Sequence, residues 1–523
     1  MANITKVYLL NVPLERDYLH TLHFDSQTDQ LNYFAGRIVK SYTDFNYQRK
    51  EKNVSVQEHF DNLSNCNYLI YQNTAHSNKW YYCFINEIEY VNDSVSRLHI
   101  ETDVIQTYLF DYELLPSFVE REHVINDSIG LHSYPESVEI GEYIINKYQK
   151  DNNLQPSDMI VIGSTIIPSG EGGDNYRAGA IYNGVFSGVN YYAYPITAFK
   201  GSGDYKGILQ RMADDGHIDA VTSMFLCPAF LQTQQGGGAI DESDTAKTYN
   251  FSVDKLTSLN GYTPINKKLL TYPFCYLLVS NGNGASAIYN YELFSSDKCV
   301  FKTYGALTPG CSIRMIPQNY KGCNGAENEG LNLGKYPQCN WATDQYTNWL
   351  AQNGVNIATS IVGAGANIFT GVKMGALSGG PGGALIGGIV GGASGIAGIL
   401  NTMQEVRNAD RVPPQSQGNL NCGDVVTASG NNTFHYYAMS IKKEYAKIID
   451  SYFSCYGYKV NCVKQPNTNH RKNYWYIKCI DVNIKAGIPQ NDLLKIKECY
   501  NRGITFWRSA SNIKNYNVSN DII

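Results

Sequence analysis

A stretch of about 55 residues, 349–403, constrains this chain more than any other feature. Lys373 is its only charged residue, and fifteen of its residues are glycines interleaved with alanine, isoleucine, valine and leucine. An average globular domain would place roughly a dozen charges in a stretch of this length. Such a surface on a free protein in water would drive aggregation. We call residues 349–403 the apolar segment and expect it to be hidden in an assembly.

A turn divides the apolar segment into two arms. Residues 378–382, with the sequence Ser-Gly-Gly-Pro-Gly, make the turn, and residues 383–400 beyond it are uncharged and apolar. As a helix, these roughly 18 residues would span about 27 Å, close to the hydrocarbon thickness of a bilayer. Four glycines in this arm recur at i, i+4 spacing: Gly383, Gly387, Gly391 and Gly395. This spacing lets helices approach closely inside lipid, so several copies of the hairpin could associate in a membrane.

The large apolar side chains of the two arms are the candidate membrane-active residues. They are Ile361, Val362, Ile368, Phe369, Val372, Leu377, Leu385, Ile386, Ile389, Val390, Ile396, Ile399 and Leu400. Three interpretations of the segment are open: a packed pair of core helices, a flexible linker, and a loop sheltered in an assembly and later released into lipid. Core helices rarely lack a polar face over so long a run, and linkers are rich in serine or charge. The third interpretation is therefore favoured, although each glycine weakens insertion by about 1 kcal/mol relative to alanine in a helix.

Composition predicts a mainly β protein of several packed units. The 523 residues are too many for one compact core, and 41 tyrosines with 47 glycines favour strands and turns. A net charge of -5 implies no basic surface large enough to grip nucleic acid through its phosphates. The first ten residues do not read as a secretory signal. Cys311, Cys323 and Cys339 fit no common zinc spacing, so we expect free thiols, no metal and no cofactor.

The first quarter of the chain predicts a β-sheet or β-barrel. Residues 68–71, 80–85 and 98–105 are short β-branched or aromatic runs, and Asn92-Asp93-Ser94 is a turn signal between two of them. Similar runs recur over residues 126–340, where long Gly/Asn/Ser loops separate them. The fold of that middle part is not readable from the pattern.

The last fifth of the chain predicts a small α+β unit. From Ser440 onward, apolar residues recur at helical spacing, and Gly457 follows at the position of a left-handed helix cap. A strand over 474–484, a helix opened by Pro489 and a closing strand over 503–507 come next. No GxSxG, HExxH or Walker motif occurs anywhere in the sequence, so we expect no enzyme activity.

Five stretches at the two ends of the chain carry a resemblance to a known family. They bracket the apolar segment and comprise residues 11–14, 23–25, 65–69, 91–124 and 471–507. They resemble the tail knob (distal tube) proteins of picovirus-type short-tailed phages that infect Gram-positive bacteria. The resemblance implies a β-rich structural subunit at the tip of the virion tail, made in the host cytoplasm. Its implied partners are further copies in a hexamer, other tail proteins, host membrane lipid, and double-stranded DNA that passes through without specific binding.

The resemblance also implies a role for each part of the chain. The parts are an N-terminal tube-forming β domain at 1–125, a β-rich knob region at 126–340, a membrane-active loop at 341–410 and a C-terminal α+β unit at 411–523. Loops from all copies would plug the lumen and, once released, perforate the host cytoplasmic membrane for genome ejection. Three alternatives stay open: a host-receptor-binding tail protein, a stand-alone pore former and a tail-associated wall hydrolase. The pore former would need an export signal.

Overall fold

The chain is mainly β, as the composition predicts. The computed structural model describes residues 6–43, 45–48, 52–73, 78–168, 179–182, 185–195, 205–231, 238–239, 246–306, 311–321, 330–334, 336, 338–340 and 432–523. The described residues fall into two compact units. The first unit draws on Met1–Gly141, Tyr262–Leu269 and Lys443–Ile523, and the second on Glu142–Gly261 and Leu270–Lys442. The four-part division predicted above stays a prediction.

The strands of the first unit come from both ends of the chain. They are β1 (Lys6–Leu10), β2 (His20–Leu22), β3 (Ile38–Tyr42), β4 (Phe45–Gln48), β5 (Asn53–Val56), β6 (Tyr68–Asn73), β7 (Lys79–Asn92), β8 (Val95–Thr102), β9 (Tyr112–Leu114), β10 (Ser117–Glu122), β25 (Tyr458–Lys464), β26 (Tyr474–Ile480), β27 (Ile484–Ala486) and β28 (Ile504–Trp507). Its helices are α1 (Gln27–Ala35), α2 (Val104–Tyr108), α4 (Lys443–Tyr456) and α5 (Gln490–Arg502). The strands and helices numbered between these belong to the second unit.

One sheet of the first unit is buried on both faces. Its strand order is β3-β1-β6-β7-β8-β5-β4. Successive side chains of a strand point to opposite faces, and on β6 Tyr68 and Ile70 join one core cluster while Leu69 and Tyr71 join another. A strand covered on both faces reads as a continuous apolar run, as residues 68–71 do. The predicted turn at Asn92-Asp93-Ser94 is confirmed as the hairpin between β7 and β8.

The predicted strand over 98–105 is wrong at its end. Strand β8 ends at Thr102, and Val104–Tyr108 forms helix α2. The reason is Asp103, whose carboxylate accepts a hydrogen bond from the Gln106 backbone N–H at 3.0 Å and so caps the helix. The Tyr68 hydroxyl donates to the same carboxylate at 2.8 Å. Burial raises the pKa of Asp103 to about 6.

The C-terminal elements are α and β as predicted, but their strands pair with strands from the N-terminal part. A second sheet has the order β2-β28-β26-β10-β25, and β27 pairs with β9. Strand β10 therefore lies between two strands that follow it by more than 300 residues. Sequence spacing carries no information about such pairings.

Helix α4 begins at Lys443, not at Ser440 as its periodicity predicts. Ser440 and Ile441 are the last residues of strand β24 (His435–Ile441) in the second unit, where Ile441 is fully buried. At the other end, Gly457 confirms the predicted left-handed cap: its φ is 63°, and its N–H donates to the Phe453 carbonyl at 2.8 Å.

A short stretch from the middle of the chain, Tyr262–Leu269, belongs to the first unit. We call it the strap. The buried Asp450 carboxylate on α4 accepts hydrogen bonds from the Tyr262 hydroxyl, the Ile265 N–H, and both the backbone and side-chain N–H of Asn266, at 2.7 to 3.0 Å. The strap also brings Lys268 to the Glu136 carboxylate at 2.5 Å, next to Arg121, and all three side chains are at most 9% exposed. Buried charges persist in this way when they are paired.

The second unit is built from three sheets among the residues that the structure describes. Its strands are β11 (Tyr143–Lys150), β12 (Pro156–Ser164), β13 (Gly179–Tyr182), β14 (Val185–Pro195), β15 (Val221–Pro228), β16 (Gly238–Ala239), β17 (Ala246–Asp254), β18 (Cys275–Ser280), β19 (Ser286–Tyr289), β20 (Lys298–Ala306), β21 (Ser312–Gln318), β22 (Leu331–Asn332), β23 (Gln338–Asn340) and β24 (His435–Ile441), with helix α3 at Tyr205–Asp214. The sheet orders are β11-β24-β18-β19, β13-β14-β12-β15-β23 with β16 on β14, and β17-β20-β21-β22.

Candidate functional site

The predicted membrane-active residues, including the four spaced glycines, lie outside the described residues. The structure describes instead the two places where the chain leaves for residues 341–431 and returns from them. Before it leaves, strand β23 pairs with β15, with Asn340 opposite Ser223. After it returns at Asn432, the chain runs directly into strand β24, which begins at His435. Both flanks are therefore strands of the second unit.

A hydrogen bond joins the two flanks. The Asn432 side-chain amide donates to the Gly334 carbonyl at 3.1 Å, and Asn432 is 1% exposed. Gly334 precedes β23, so the bond links the outgoing chain to the returning chain. Gly334 on the outgoing side and Asn432 on the returning side therefore lie side by side in the second unit.

Buried polar contacts fix this place to the neighbouring strands. The Thr433 hydroxyl donates to the Asp151 carbonyl, and the Asp151 N–H donates to the Phe434 carbonyl at 3.2 Å. On the outgoing side, the Tyr336 hydroxyl donates to the Leu154 carbonyl. Thr433, Phe434 and Tyr336 are fully buried. We call Asp151, Leu154, Gly334, Tyr336, Asn432 and Thr433 the segment base.

The electrostatics of the segment base favour neutral groups. Burial raises the pKa of Asp151, while the Tyr249 hydroxyl at 2.5 Å and the Asn153 N–H at 3.1 Å partly stabilise its carboxylate. Burial also raises the pKa of Tyr336 well above its ordinary value, so its hydroxyl stays protonated. The base is a buried, hydrogen-bonded anchor in which burial disfavours the charged forms of Asp151 and Tyr336. Sequence reasoning missed these residues because nothing in their spacing distinguishes them from loop residues.

The cysteines that the structure describes are free, and all but Cys455 and Cys462 are buried. Burial raises the pKa of Cys227 to about 11 and that of Cys479 to about 12, so both remain thiols. Of the three cysteines tested above for zinc spacing, Cys311 is buried and free, and the side chains of the other two lie outside the described residues. Within the described ranges, no group of three or more His, Cys, Asp or Glu side chains could hold a metal ion.

Across the part of the chain that the structure describes, no helix has the length and apolar character needed to cross a membrane. The apolar segment lies outside that part.

Comparisons with known proteins identify the class of the chain. Residues 241–521 match the family model of the C-terminal domain of Bacillus phage phi29 tail knob protein gp9, and residues 3–113 match that of the caudoviral major tail protein N-terminus. The tail knob proteins gp9 of Bacillus phages phi29 and B103 are 26% and 25% identical to this chain, over 98% of its length and 98% and 97% of theirs.

A solved structure shares the fold. The tail knob protein gp12 of bacteriophage C1 superposes with a TM-score of 0.65 at 14% identity, covering 99% of this chain and 100% of that one. The fold and the two family matches together define a structural protein of a bacteriophage tail. The chain belongs to the tail knob protein family of phi29 gp9, whose model spans more than half of its residues. It is a component of the virion tail.

Proposed function

We propose that the chain forms a hexameric ring at the far end of the tail and that the ring is a conduit for double-stranded DNA. Residues 1–125 form the tube, residues 126–340 form the knob, residues 341–410 form the membrane-active loop, and residues 411–523 form an α+β unit that completes the ring. The apolar segments of all copies plug the lumen, where they bury against each other. On release they perforate the host cytoplasmic membrane for genome ejection.

One observation carries this proposal: about 55 residues with a single charge, Lys373, are inserted between β23 and β24. Exposure of such a stretch to water is unfavourable, so it must be covered before release. A closed ring of identical subunits provides a lumen in which it can be covered. The segment base supports the proposal because a loop that moves out of the lumen must stay attached to the second unit. A buried, hydrogen-bonded anchor holds the second unit together at that point while the loop itself changes surroundings.

The energetics favour a collective insertion over that of one copy. Seven of residues 383–400 are leucine, isoleucine or valine, and each contributes about -0.5 kcal/mol at the centre of a bilayer. One arm therefore gains on the order of 3 kcal/mol from these side chains, but its seven glycines cost about 1 kcal/mol each relative to alanine in a helix. Insertion of one arm alone is unfavourable, and close packing of several copies through the spaced glycines must supply the difference. Copies linked in one ring insert as a multivalent unit, because the first insertion raises the effective concentration of the others at the membrane.

The proposed role includes no catalysis and no tight grip on DNA. A weakly acidic chain of net charge -5 suits a lumen through which DNA slides. Tight binding of duplex DNA by the purified ring at physiological salt would contradict the conduit. Clearing of a cell-wall substrate in a zymogram would contradict the absence of catalysis and favour a wall hydrolase.

The test of the membrane role compares three forms of the full chain on dye-loaded liposomes. The first is the wild type, the second lacks residues 351–400, and the third replaces the same residues with a Gly/Ser linker of equal length. We expect all three to form rings in electron micrographs and only the wild type to release dye. Release at the wild-type level by the deleted or the replaced form would refute the proposal.

A further inference from the structure

The sheet β11-β24-β18-β19 of the second unit has one face in the core and one face toward solvent. On its two central strands, β24 and β18, the inward residues are buried, among them Leu277, Val279 and Ala438, which are at most 2% exposed. In an antiparallel sheet with one covered face, the outward residues of each strand are usually polar. Here two adjacent rows of outward residues are apolar, and only the row of His435, Ser280 and Ser286 beyond them is polar. We call the surface formed by the two apolar rows the apolar face.

Two rows of side chains cross the apolar face in register. In the first row, Ile145 on β11 lies opposite Met439 on β24, which lies opposite Tyr276 on β18. The Tyr143 ring packs against the Tyr276 ring in a T-shaped contact with centroids 5.1 Å apart, and so extends this row. Ile145 is 55% exposed.

The second row spans all four strands of the sheet. Tyr148 lies opposite Tyr437, Tyr437 opposite Leu278, and Leu278 opposite Ile288. The rings of Tyr148 and Tyr437 are 5.2 Å apart. Tyr148 is 49% exposed and Ile288 is 48% exposed, so both ends of the row are open to solvent.

Charged groups lie only at the border of the two rows, among the described residues. Both lysines of this sheet are on its edge strand β11: Lys147 pairs with Asp254 at 3.3 Å, and Lys150 lies opposite His435, one row beyond Tyr148 and Tyr437. Interface cores are depleted of charge and enriched in tyrosine and methionine, with a polar rim around them. The apolar face has this composition. A surface that binds anionic lipid usually carries several Lys and Arg side chains around its apolar residues, and strands β24, β18 and β19 carry none.

We propose that a second copy of this chain, the next subunit of the ring, covers the apolar face. Ile145, Tyr148, Ile288 and the neighbouring Tyr272 are each about half exposed and leave on the order of 100 Å² each, or roughly 400 Å² together. A standard interface covers about 800 Å² of each partner, so this face supplies the apolar centre of one subunit contact. The inference rests on the proposed ring, because a closed ring needs such a contact in every copy.

The first test changes the outer ends of the face to charge. The double variant Ile145→Lys/Ile288→Lys places two ammonium groups in the contact, and each position is exposed enough in the free chain to tolerate the change. The matched control is Ile448→Lys/Leu494→Lys, which alters isolated apolar residues on α4 and α5 that are 67% and 54% exposed. Mass photometry of the full chain should show rings for the wild type and the control. The face variant should be monomeric, with subunit affinity lowered at least about a hundredfold.

The second test identifies what covers the face. The photoreactive amino acid p-benzoylphenylalanine replaces Tyr148 in a chain that is otherwise wild type, and the purified ring of this labelled protein is irradiated. We expect a crosslinked species of two chains, absent when the same label is carried on the Ile145→Lys/Ile288→Lys background. Crosslinks confined to residues 341–431 of the same polypeptide, or to another tail protein only, would overturn the assignment.

The outcomes separate this inference from the proposed function. A wild-type protein that stays monomeric at all concentrations would refute the ring and, with it, the occupant of the face. Wild-type rings that persist unchanged in the face variant would refute the inference alone. Loss of rings in the control variant as well would also refute it, because assembly would then not be specified by this face.

Discussion

The hydrogen bonds of Asp450 offer a sharp test of what fixes the strap within the first unit. Asp450 is 1% exposed, and its carboxylate accepts four hydrogen bonds from Tyr262, Ile265 and Asn266. Asp450→Ala removes the acceptor of all four bonds. Ile265 is 78% exposed, so water can reach the freed donors, which limits the cost to about 1 kcal/mol for each bond. We expect a loss of about 4 kcal/mol in the free energy that holds the strap.

Hydrogen exchange measures this loss locally. The backbone N–H groups of Ile265 and Asn266 donate to Asp450, so their exchange reports directly on the strap. A loss of about 4 kcal/mol corresponds to exchange about a thousandfold faster, since every 1.4 kcal/mol is a factor of ten. The control is Glu444→Ala, which removes an exposed carboxylate from the same helix.

The control also defines the result that would refute the reasoning. If exchange at Ile265 and Asn266 in Asp450→Ala stays within tenfold of that in Glu444→Ala, the carboxylate does not hold the strap. Guanidinium unfolding of both variants gives the global counterpart, and only Asp450→Ala should show a lower midpoint.

Two further predictions concern the first unit. Burial lowers the pKa of His123 from 6.5 to about 3. Below pH 6.5 the imidazole is therefore protonated in the unfolded chain but stays neutral in the folded chain. Stability is therefore lost as pH falls, by about 1.4 kcal/mol per pH unit or roughly 2 kcal/mol at pH 5. His123→Gln should show a shallower fall of melting temperature between pH 7 and pH 5, and an unchanged slope would count against the buried neutral imidazole. Gly457→Ala should destabilise the chain by at least about 2 kcal/mol in denaturant titrations, because its φ is 63° and an added Cβ would lie 2.1 Å from the Glu122 carbonyl oxygen. Equal stability of Gly457→Ala and wild type would contradict the left-handed cap.

Local sequence signals predicted local structure well. The hairpin at Asn92-Asp93-Ser94, the helix before Gly457 and the helix after Pro489 each depend on residues within a few positions of one another. The strand predicted over 474–484 was wrong at its end, because β26 ends at Ile480 and Ile484 begins the separate strand β27. Two other errors arose where a short element follows another without a break. Asp103 starts a helix directly after β8, and Ile441 ends a strand directly before α4, so one apolar pattern runs across both boundaries.

The sequence pattern did not predict which strands pair across long sequence separations. Strand β10 pairs with β25 and β26, and Asn432 bonds to Gly334 across the whole apolar segment. The resemblance at the two ends of the chain gave the family, but it said nothing of the strap or the segment base. The sequence pattern did not predict the apolar face either, because β18 reads as apolar on both sides and β11 mixes apolar with polar residues on both. Only the register of Tyr148, Tyr437 and Leu278 places them in one row.

The central claim is that copies of this chain open a passage through a bilayer that is wide enough for DNA. Its most direct test is the release of short duplex DNA from liposomes that also contain a small dye. The wild-type ring should release both cargoes, and the form lacking residues 351–400 should release neither. Escape of the dye while the duplex stays inside, or equal release of duplex by both proteins, would contradict the account.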